Sequence, residues 1–260
     1  MKLILILSTA ILLLSGCSKQ KADTNTLVIG MELAYPPFEM TDEQNRPIGV
    51  SVDIANALGK HLNRPIRIEN IPFAGLIPSL KTGKIDLVIS SMTATEERSQ
   101  SIDFSQPYLK TGLCLLIGIN SPIKDLEELN DPKFTYAVKQ GTTGHLYATE
   151  HLAQSTLLVL EKESAAVLEV IQGKADAFIY DQMSTYMNWK RNPETTRALL
   201  TPIKQESWAI GLAKGNPDLL NQVNTFLKEY ESQGGFEQLG NKHLPKQKAA
   251  FKELKIPFYF

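Results

Sequence analysis

Apolar and polar positions follow two alternating periods along the chain from residue 27 onward. Short apolar runs are typical of buried strands, whereas apolar residues spaced three or four apart indicate helices. Five successive segments show these patterns in the order strand, helix, strand, helix, strand: LVIGM (27–31), VSVDIANALGKHL (50–62), IRIEN (66–70), AGLIPSLKTGK (74–84) and IDLVISS (85–91). This order predicts an α/β layer with parallel strand pairing.

The same succession of patterns restarts after the apolar run LCLLIG (113–118). It consists of FTYAVKQ (134–140), TGHLYATEHLAQ (143–154), TLLVL (156–160), ESAAVLEVIQ (163–172) and DAFIYD (176–181). The sequence therefore predicts two α/β lobes.

The two predicted lobes contain matching phrases, LKTGKIDLVISS (80–91) and VIQGKADAFIYD (170–181). Aligning their glycines places Ser91 on Asp181, so each residue ends a matched strand. Ligands of open α/β sheets bind beyond the carboxyl ends of the strands, which predicts that both residues face one cleft. The alternative is that a common helix stop and strand start occurs twice by chance.

The last part of the chain adds one more strand near 207–212 and a helix. We expect this helix to begin near Asn216-Pro217 and to end at Gly234-Gly235. The final residues, 248–260, are half apolar and are expected to pack back on a lobe.

The first 17 residues have the layout of a secretory signal. A single cation, Lys2, precedes an apolar run (3–14) that is shorter than the about 20 residues of a bilayer span. Leu14-Ser15-Gly16-Cys17 resembles the lipobox of bacterial lipoproteins. The resemblance implies a signal peptide at 1–16, a lipidated Cys17 and a flexible tether at 17–26, and the alternative is an uncleaved anchor.

Composition narrows the classes of partner. The chain has 260 residues, and its 43% hydrophobic and 21% charged residues are typical of a soluble globular protein. Because Lys plus Arg (27) nearly equals Asp plus Glu (28), no broad charge favours nucleic acid.

With Cys17 lipidated, Cys114 is the one remaining thiol and is expected to be a small buried residue. The histidines are scattered, so we expect no metal and no cofactor.

Four residues have the chemistry that is needed to bind the carboxylate and the ammonium group of an α-amino acid: Arg98, Thr142, Thr143 and Asp181. Thr95 is a candidate N-cap, and Arg98 stands in the first turn, where a cation opposes the helix dipole. Its guanidinium is suited to a carboxylate, although a surface arginine paired with a glutamate is the alternative. Free N–H groups at Thr142 and Thr143 are expected to form an anion site, and Asp181 offers the opposite charge.

Residues 27–244 resemble the family 3 solute-binding proteins, the polar amino-acid receptors of bacterial ABC importers. Six phrases carry the resemblance: AYPPFE (34–39), GVSVDIANAL (49–58), GLIPSLKTGKIDLVISSMTATEER (75–98), IDFSQPY (102–108), VKQGTTG (138–144) and DAFIYD (176–181). Val50 and Ser51 depart from the family pattern, which has an aromatic residue and Asp there. These departures affect packing more than the site.

The resemblance implies a two-lobed periplasmic-binding-protein type II fold. Each lobe would be an open α/β sheet flanked by helices, joined by two hinge crossings near 110–113 and 201–206. Lobe 1 would comprise 27–111 and 206–260, and lobe 2 would comprise 112–205.

Carried over by position, the resemblance also implies roles for individual residues. Arg98 with the Thr142 N–H would bind the ligand carboxylate, and three residues would hold its ammonium: Asp181, Thr93 and the main chain of Ser91. Tyr35 and Phe73 would sandwich the ligand side chain, unless they are ordinary core aromatics.

Two further positions, Glu32 and Lys139, match residues that line the pocket at the far end of the ligand. An acid and a cation together favour glutamine, with arginine second. The alternative is that Glu32 and Lys139 pair with each other and leave specificity to shape.

The predicted function is capture of an L-amino acid for a membrane ABC permease. The protein would act as a monomer in the periplasm or at the cell surface, anchored by lipid. A first alternative is an enzyme resembling cyclohexadienyl dehydratases, which have Glu where Asp181 stands; Asp181 is shorter and no second acid is expected beside it. A second alternative is a sensor module for a separate partner.

Overall fold

The computed structural model describes residues 25–124 and 128–258. The predicted signal peptide, lipidated Cys17 and the tether as far as residue 24 lie outside the described residues. In the described ranges, no helix combines the length and the apolar character needed to cross a membrane.

Helices and strands alternate through most of the described chain. In chain order they are β1 (Leu27–Met31), β2 (Met40–Thr41), β3 (Pro47–Ile48), α1 (Val50–His61), β4 (Ile66–Asn70), a 3-10 turn (Phe73–Gly75), α2 (Leu76–Lys81), β5 (Leu87–Val88), α3 (Glu96–Ser99), β6 (Asp103–Phe104), β7 (Leu109–Gly118), β8 (Thr135–Lys139), α4 (Thr143–His151), β9 (Thr156–Leu160), α5 (Glu163–Ile171), β10 (Ala177–Asp181), α6 (Gln182–Arg191), β11 (Thr196–Trp208), β12 (Gly211–Leu212), α7 (Pro217–Ser232), α8 (Gly235–His243) and α9 (Pro245–Glu253).

The strands form two five-stranded sheets, which confirms the predicted two-lobed α/β architecture. The first has the order β4-β1-β5-β12-β6 and the second β11-β7-β10-β8-β9. In the first sheet β1 pairs in parallel with β4 and β5, and in the second β8 pairs in parallel with β9 and β10. The remaining strands of both sheets pair antiparallel.

The repeated phrases form the same local structure in both sheets. The glycines that follow α2 and α5 each have a φ of 70°, a left-handed conformation in which a glycine is favoured. Asp86 then accepts a hydrogen bond from the Val28 N–H at 2.8 Å, and Asp176 accepts one from the Thr135 N–H at 2.9 Å. Asp86 thus fixes β1 and Asp176 fixes β8, so the matching phrases have matching structural roles in the two sheets.

Two long strands, β7 and β11, connect the sheets. They pair antiparallel from Leu109 and Trp208 to Leu113 and Lys204 before the register shifts. The predicted crossings at 110–113 and 201–206 lie in this ribbon. The predicted lobe boundaries at 111/112 and 205/206 stay a prediction.

The core of the first sheet is covered by α1 and α7. The buried residues of α7 are spaced three or four apart, as expected for a helix that buries one face; they are Leu219, Val223, Phe226 and Leu227. In the second sheet Cys114 is buried in β7, as predicted, and burial raises the pKa of its thiol.

The C-terminal segment contains more structure than its sequence predicts. The helix expected after Asn216 ends before Gly234, as predicted, but α8 and α9 follow it. The ring of Phe251 on α9 is fully buried and lies 5.3 Å from the ring of Tyr186 on α6. The expectation that the final residues pack back on the folded part is therefore confirmed for α9.

Candidate functional site

A cavity lies between the carboxyl ends of the parallel strands of the two sheets. It encloses about 430 Å³ of space not occupied by atoms, its opening to solvent included. Eight of the nine predicted binding residues line it: Glu32, Tyr35, Phe73, Ser91, Thr93, Arg98, Thr142 and Asp181. Thr143, which was predicted as part of the anion site, also lines it. Six residues that were not predicted complete the lining: Glu39, Ser90, Leu113, Tyr180, Glu206 and Trp208.

Arg98 is buried at the base of this cavity. Thr95 caps α3 by accepting a hydrogen bond from the Arg98 N–H, as predicted. The guanidinium, in a residue only 7% exposed, donates through Nη1 to the Thr93 carbonyl at 2.7 Å and through Nη2 to the Gly141 carbonyl at 2.9 Å. Burial lowers the pKa of Arg98. The alternative of a solvated surface arginine is therefore wrong, and Arg98 joins elements of both lobes.

Asp181 is the last residue of β10 and the N-cap of α6. Its Oδ1 accepts hydrogen bonds from the Met183 N–H at 3.0 Å, the Ser184 N–H at 3.1 Å and the Tyr35 hydroxyl at 2.7 Å. Burial raises the pKa of the Asp181 carboxyl to about 6, although these hydrogen bonds favour the ionised form. The carboxylate is thus held in a fixed orientation by the start of α6 and by Tyr35, which lies between β1 and β2.

The start of α4 differs in one respect from the expected anion site. Thr142 caps α4, but its N–H donates to the Lys139 carbonyl at 3.2 Å, so the expectation of a free Thr142 N–H is wrong. The Thr143 N–H has no acceptor among the residues that the structure describes. The turn itself requires glycine, because Gly141 has a φ of 75°.

Glu32 and Lys139 contact each other. Glu32 follows β1, Lys139 ends β8, and Lys139 Nζ donates to Glu32 Oε2 in a buried ion pair. Lys139 is 1% exposed and Glu32 is 8% exposed. Lys139 does not line the cavity, contrary to expectation, because its ammonium group is buried against Glu32. The pairing that was left open as the alternative is thus the observed arrangement.

The two predicted aromatic residues have different surroundings. The Tyr35 ring stacks on Phe38 at 5.3 Å and meets Tyr180 and Trp208 edge-on. Phe73 is half-buried and has the Arg98 guanidinium 5.5 Å from its ring centre. Tyr35 therefore belongs to an aromatic cluster as well as to the cavity lining.

Glu39 is a buried acid that was not predicted as a site residue. It is 1% exposed, and three serine hydroxyls donate to its carboxyl: Ser51 at 2.6 Å, Ser91 at 3.0 Å and Ser90 at 3.3 Å. Burial raises its pKa to about 8. The sequence feature that could have revealed Glu39 is Ser51, which stands where the family pattern has Asp and which donates a hydroxyl to Glu39. Sequence analysis related this difference to packing more than to the site.

Glu206 is the second acid that the sequence did not reveal. Its Oε2 accepts hydrogen bonds from the Thr93 and Thr143 hydroxyls, both at 3.0 Å. Its Oε1 is buried without a hydrogen-bond partner in the described part of the chain, and burial raises the pKa of this carboxyl. The expectation that no second acid accompanies Asp181 is wrong, since Glu39 and Glu206 line the same cavity.

The geometry combines a buried cation, buried carboxylates and aromatic walls in one cavity. A zwitterionic ligand can pair its own carboxylate with the buried cation of the protein. Its ammonium group can pair with one of the buried carboxylates of the protein. Within residues 25–124 and 128–258, no group of three or more His, Cys, Asp and Glu side chains could hold a metal ion.

Comparison with known proteins agrees with this arrangement. The family model of the bacterial extracellular solute-binding proteins, family 3, matches residues 27–246. The L-arginine-binding protein of Pseudomonas aeruginosa is 30% identical over 83% of this chain and 86% of its own length.

Solved structures give the same result. The ancestral amino acid-binding protein AncCDT-1, a precursor of cyclohexadienyl dehydratase, is 33% identical with a TM-score of 0.77, over 84% of this chain and 95% of that one. An ancestral arginine-binding protein bound to glutamine is 32% identical with a TM-score of 0.77, over 85% of this chain and 98% of that one. The chain belongs to the bacterial extracellular solute-binding proteins of family 3.

Proposed function

We propose that this protein captures an L-amino acid in the cavity between its lobes and delivers it to a membrane ABC importer. The observation that carries the proposal is the presence of buried Arg98 and buried Asp181 in one cavity. Opposite charges in one buried site match the two α-substituents of an amino acid. Relatives described as arginine-binding proteins support the class of ligand.

The carboxylate of the ligand would bind Arg98. Both guanidinium donors now bond to main-chain carbonyls, which a carboxylate can replace with stronger, charge-assisted hydrogen bonds. Because the Thr142 N–H already has an acceptor, we assign the second contact to the Thr143 N–H, with Thr142 capping the helix that presents it.

The ammonium of the ligand would bind Asp181, the Thr93 hydroxyl and the Ser91 carbonyl. Ser91 has a φ of 47°, a conformation that is uncommon for a residue with a side chain, and its hydroxyl donates to Glu39. The Glu39 contact therefore helps to hold the Ser91 main chain in this conformation. Tyr35 and Phe73 would flank the ligand side chain, and Glu32 would lie at its far end.

Closure of the lobes would occur by bending at 110–113 and 201–206. Lobe 1 would contain 27–111 and 206–260, and lobe 2 would contain 112–205. Arg98 and Asp181 lose water on closure, which is unfavourable for each charge without a partner. A ligand that supplies both partners stabilises the closed form, which is the form that we expect the permease to recognise.

Delivery to an importer requires a position outside the cytoplasmic membrane. We propose that residues 1–16 are a signal peptide and that Cys17 is lipidated, so that 17–26 tethers a monomer to the membrane. Loss of radiolabelled palmitate incorporation in a Cys17→Ala variant would support this step, and equal incorporation would contradict it.

Isothermal titration of the chain from residue 25 against the standard L-amino acids tests the binding function. Arg98→Ala should weaken binding at least 100-fold, because it removes the carboxylate partner common to every amino acid. Arg46→Ala is the matched control, since Arg46 is an exposed arginine in the turn between β2 and β3. Retained affinity in Arg98→Ala would exclude the proposed site.

The enzyme alternative is tested with the same preparation. Because acids besides Asp181 line the cavity, prephenate and arogenate are informative substrates. We expect no turnover of either compound. Measurable turnover that disappears in Asp181→Asn would replace the binding proposal with the dehydratase alternative.

A further inference from the structure

The Glu32 and Lys139 ion pair spans the cleft between the two sheets. Glu32 directly follows β1, which lies between β4 and β5 in the first sheet, and Lys139 ends β8, which lies between β10 and β9 in the second. The pair therefore forms only when the carboxyl ends of these two strands approach each other. Glu32 lines the cavity and Lys139 lies behind it.

Lys139 is surrounded by groups that attract a cation. Its Nζ lies 5.5 Å from the centre of the Phe73 ring and 5.9 Å from the centre of the Tyr180 ring, in addition to its bond to Glu32. Aromatic faces and carboxylates are the groups that bind cationic ligands. At this end of the cavity the Lys139 ammonium already interacts with all three of these groups, the two aromatic rings and the Glu32 carboxylate.

Phe73 also interacts with a second internal cation. The Arg98 guanidinium carbon lies 5.5 Å from the centre of the same ring. A cationic ligand side chain beside Glu32 would meet the Lys139 ammonium and a glutamate that is already paired. Its entry would require Lys139 to be displaced and left buried without a counter-charge, which is strongly unfavourable.

We infer that Lys139 is a built-in cation that neutralises Glu32 and restricts the site to amino acids with uncharged side chains, excluding arginine and lysine. This inference rests on the proposed amino-acid binding function. An amide side chain fits this arrangement, because its uncharged NH₂ can donate to the Glu32 carboxylate that lines the cavity without displacing Lys139. An acidic side chain is excluded by Glu32 itself.

The wild-type protein alone provides the first test. Citrulline has nearly the same shape as arginine but an uncharged side chain, so size is matched and only charge differs. We expect isothermal titration to show that glutamine and citrulline each bind at least tenfold more tightly than arginine. Equal or tighter binding of arginine would overturn the inference while leaving the proposed function intact.

Three variants test the role of the pair. Lys139→Met leaves Glu32 without its partner, so arginine affinity should rise at least tenfold. Glu32→Gln leaves Lys139 without its partner, so glutamate affinity should rise at least tenfold. The double variant should show neither gain, because both charges are absent. Lys84→Met removes an exposed lysine outside the cavity and should leave the ligand profile unchanged.

The outcomes distinguish a failure of the inference about Lys139 from a failure of the proposed amino-acid binding function. A Lys139→Met protein that melts cooperatively and binds glutamine, but gains no affinity for arginine, contradicts the role of Lys139. If Lys139→Met does not fold, the comparison of citrulline with arginine in the wild type decides the question. A wild-type protein that binds no amino acid overturns the proposed function and this inference together.

Discussion

Glu39→Gln tests the consequence of burying an acid beneath the ligand cavity. Burial raises the pKa of Glu39 from 4.5 to about 8, so between these values the folded state holds a proton that the unfolded state has released. The free energy of unfolding therefore falls as pH rises through this window, with a limiting slope of about 1.4 kcal/mol per pH unit. Glutamine has the shape of the protonated acid and does not titrate.

The expected magnitude follows from the two pKa values of Glu39. Between pH 5 and pH 8 the wild type should lose roughly 3 to 4 kcal/mol of unfolding free energy that the Glu39→Gln variant retains. The two proteins should be about equally stable at pH 5, where Glu39 is protonated in the folded state. At pH 8 the variant should be the more stable of the two.

Urea unfolding at pH 5, 6, 7 and 8, followed by tryptophan fluorescence, measures this difference. Glu43→Gln is the matched control, because Glu43 is exposed in the turn between β2 and β3. Its stability should follow that of the wild type at every pH. If the pH dependence of the Glu39→Gln variant is parallel to that of the wild type, Glu39 is ionised in the folded protein and the reasoning is refuted.

Three further substitutions give expected outcomes. Phe251→Ala should cost about 3 to 5 kcal/mol in urea unfolding, because the fully buried ring contacts Tyr186; a loss below 1 kcal/mol would contradict the packing of α9. Gly144→Ala should cost about 2 kcal/mol, since the new Cβ would lie 2.3 Å from the Ile179 oxygen, and wild-type stability would be inconsistent with this contact. Glu206→Gln should weaken amino-acid binding at least tenfold in isothermal titration, because Glu206 lines the cavity and its buried Oε1, which has no hydrogen-bond partner among the described residues, is expected to accept a further hydrogen bond from the ligand ammonium. Unchanged affinity would remove Glu206 from the site.

Features that depend on local sequence were predictable. The Thr95 cap, the glycines after α2 and α5, and the position of Asp181 at the end of β10 all follow from a few adjacent residues. The repeat itself located the cleft, because equivalent strand ends in two open sheets face each other.

Features that depend on distant residues were not predictable. The Glu206 side chain is buried because Thr93 and Thr143 approach it from separate elements, and no periodicity in β11 indicates this. The sequence predicted a strand near 207–212, whereas the 13-residue strand β11 already begins at Thr196 and runs through the second crossing. The pairing of Glu32 with Lys139 joins positions 107 residues apart, so the sequence left it open between two outcomes.

The aspartates that fix β1 and β8 have a consequence for how the protein unfolds. Asp86 and Asp176 act entirely within their own sheets, so neither sheet depends on the other for its strand register. Each lobe is therefore expected to behave as a separate cooperative unit in amide hydrogen exchange, with its own protection pattern. Ligand binding at the cavity would raise the protection of both units together, because the ligand adds contacts to both lobes at once.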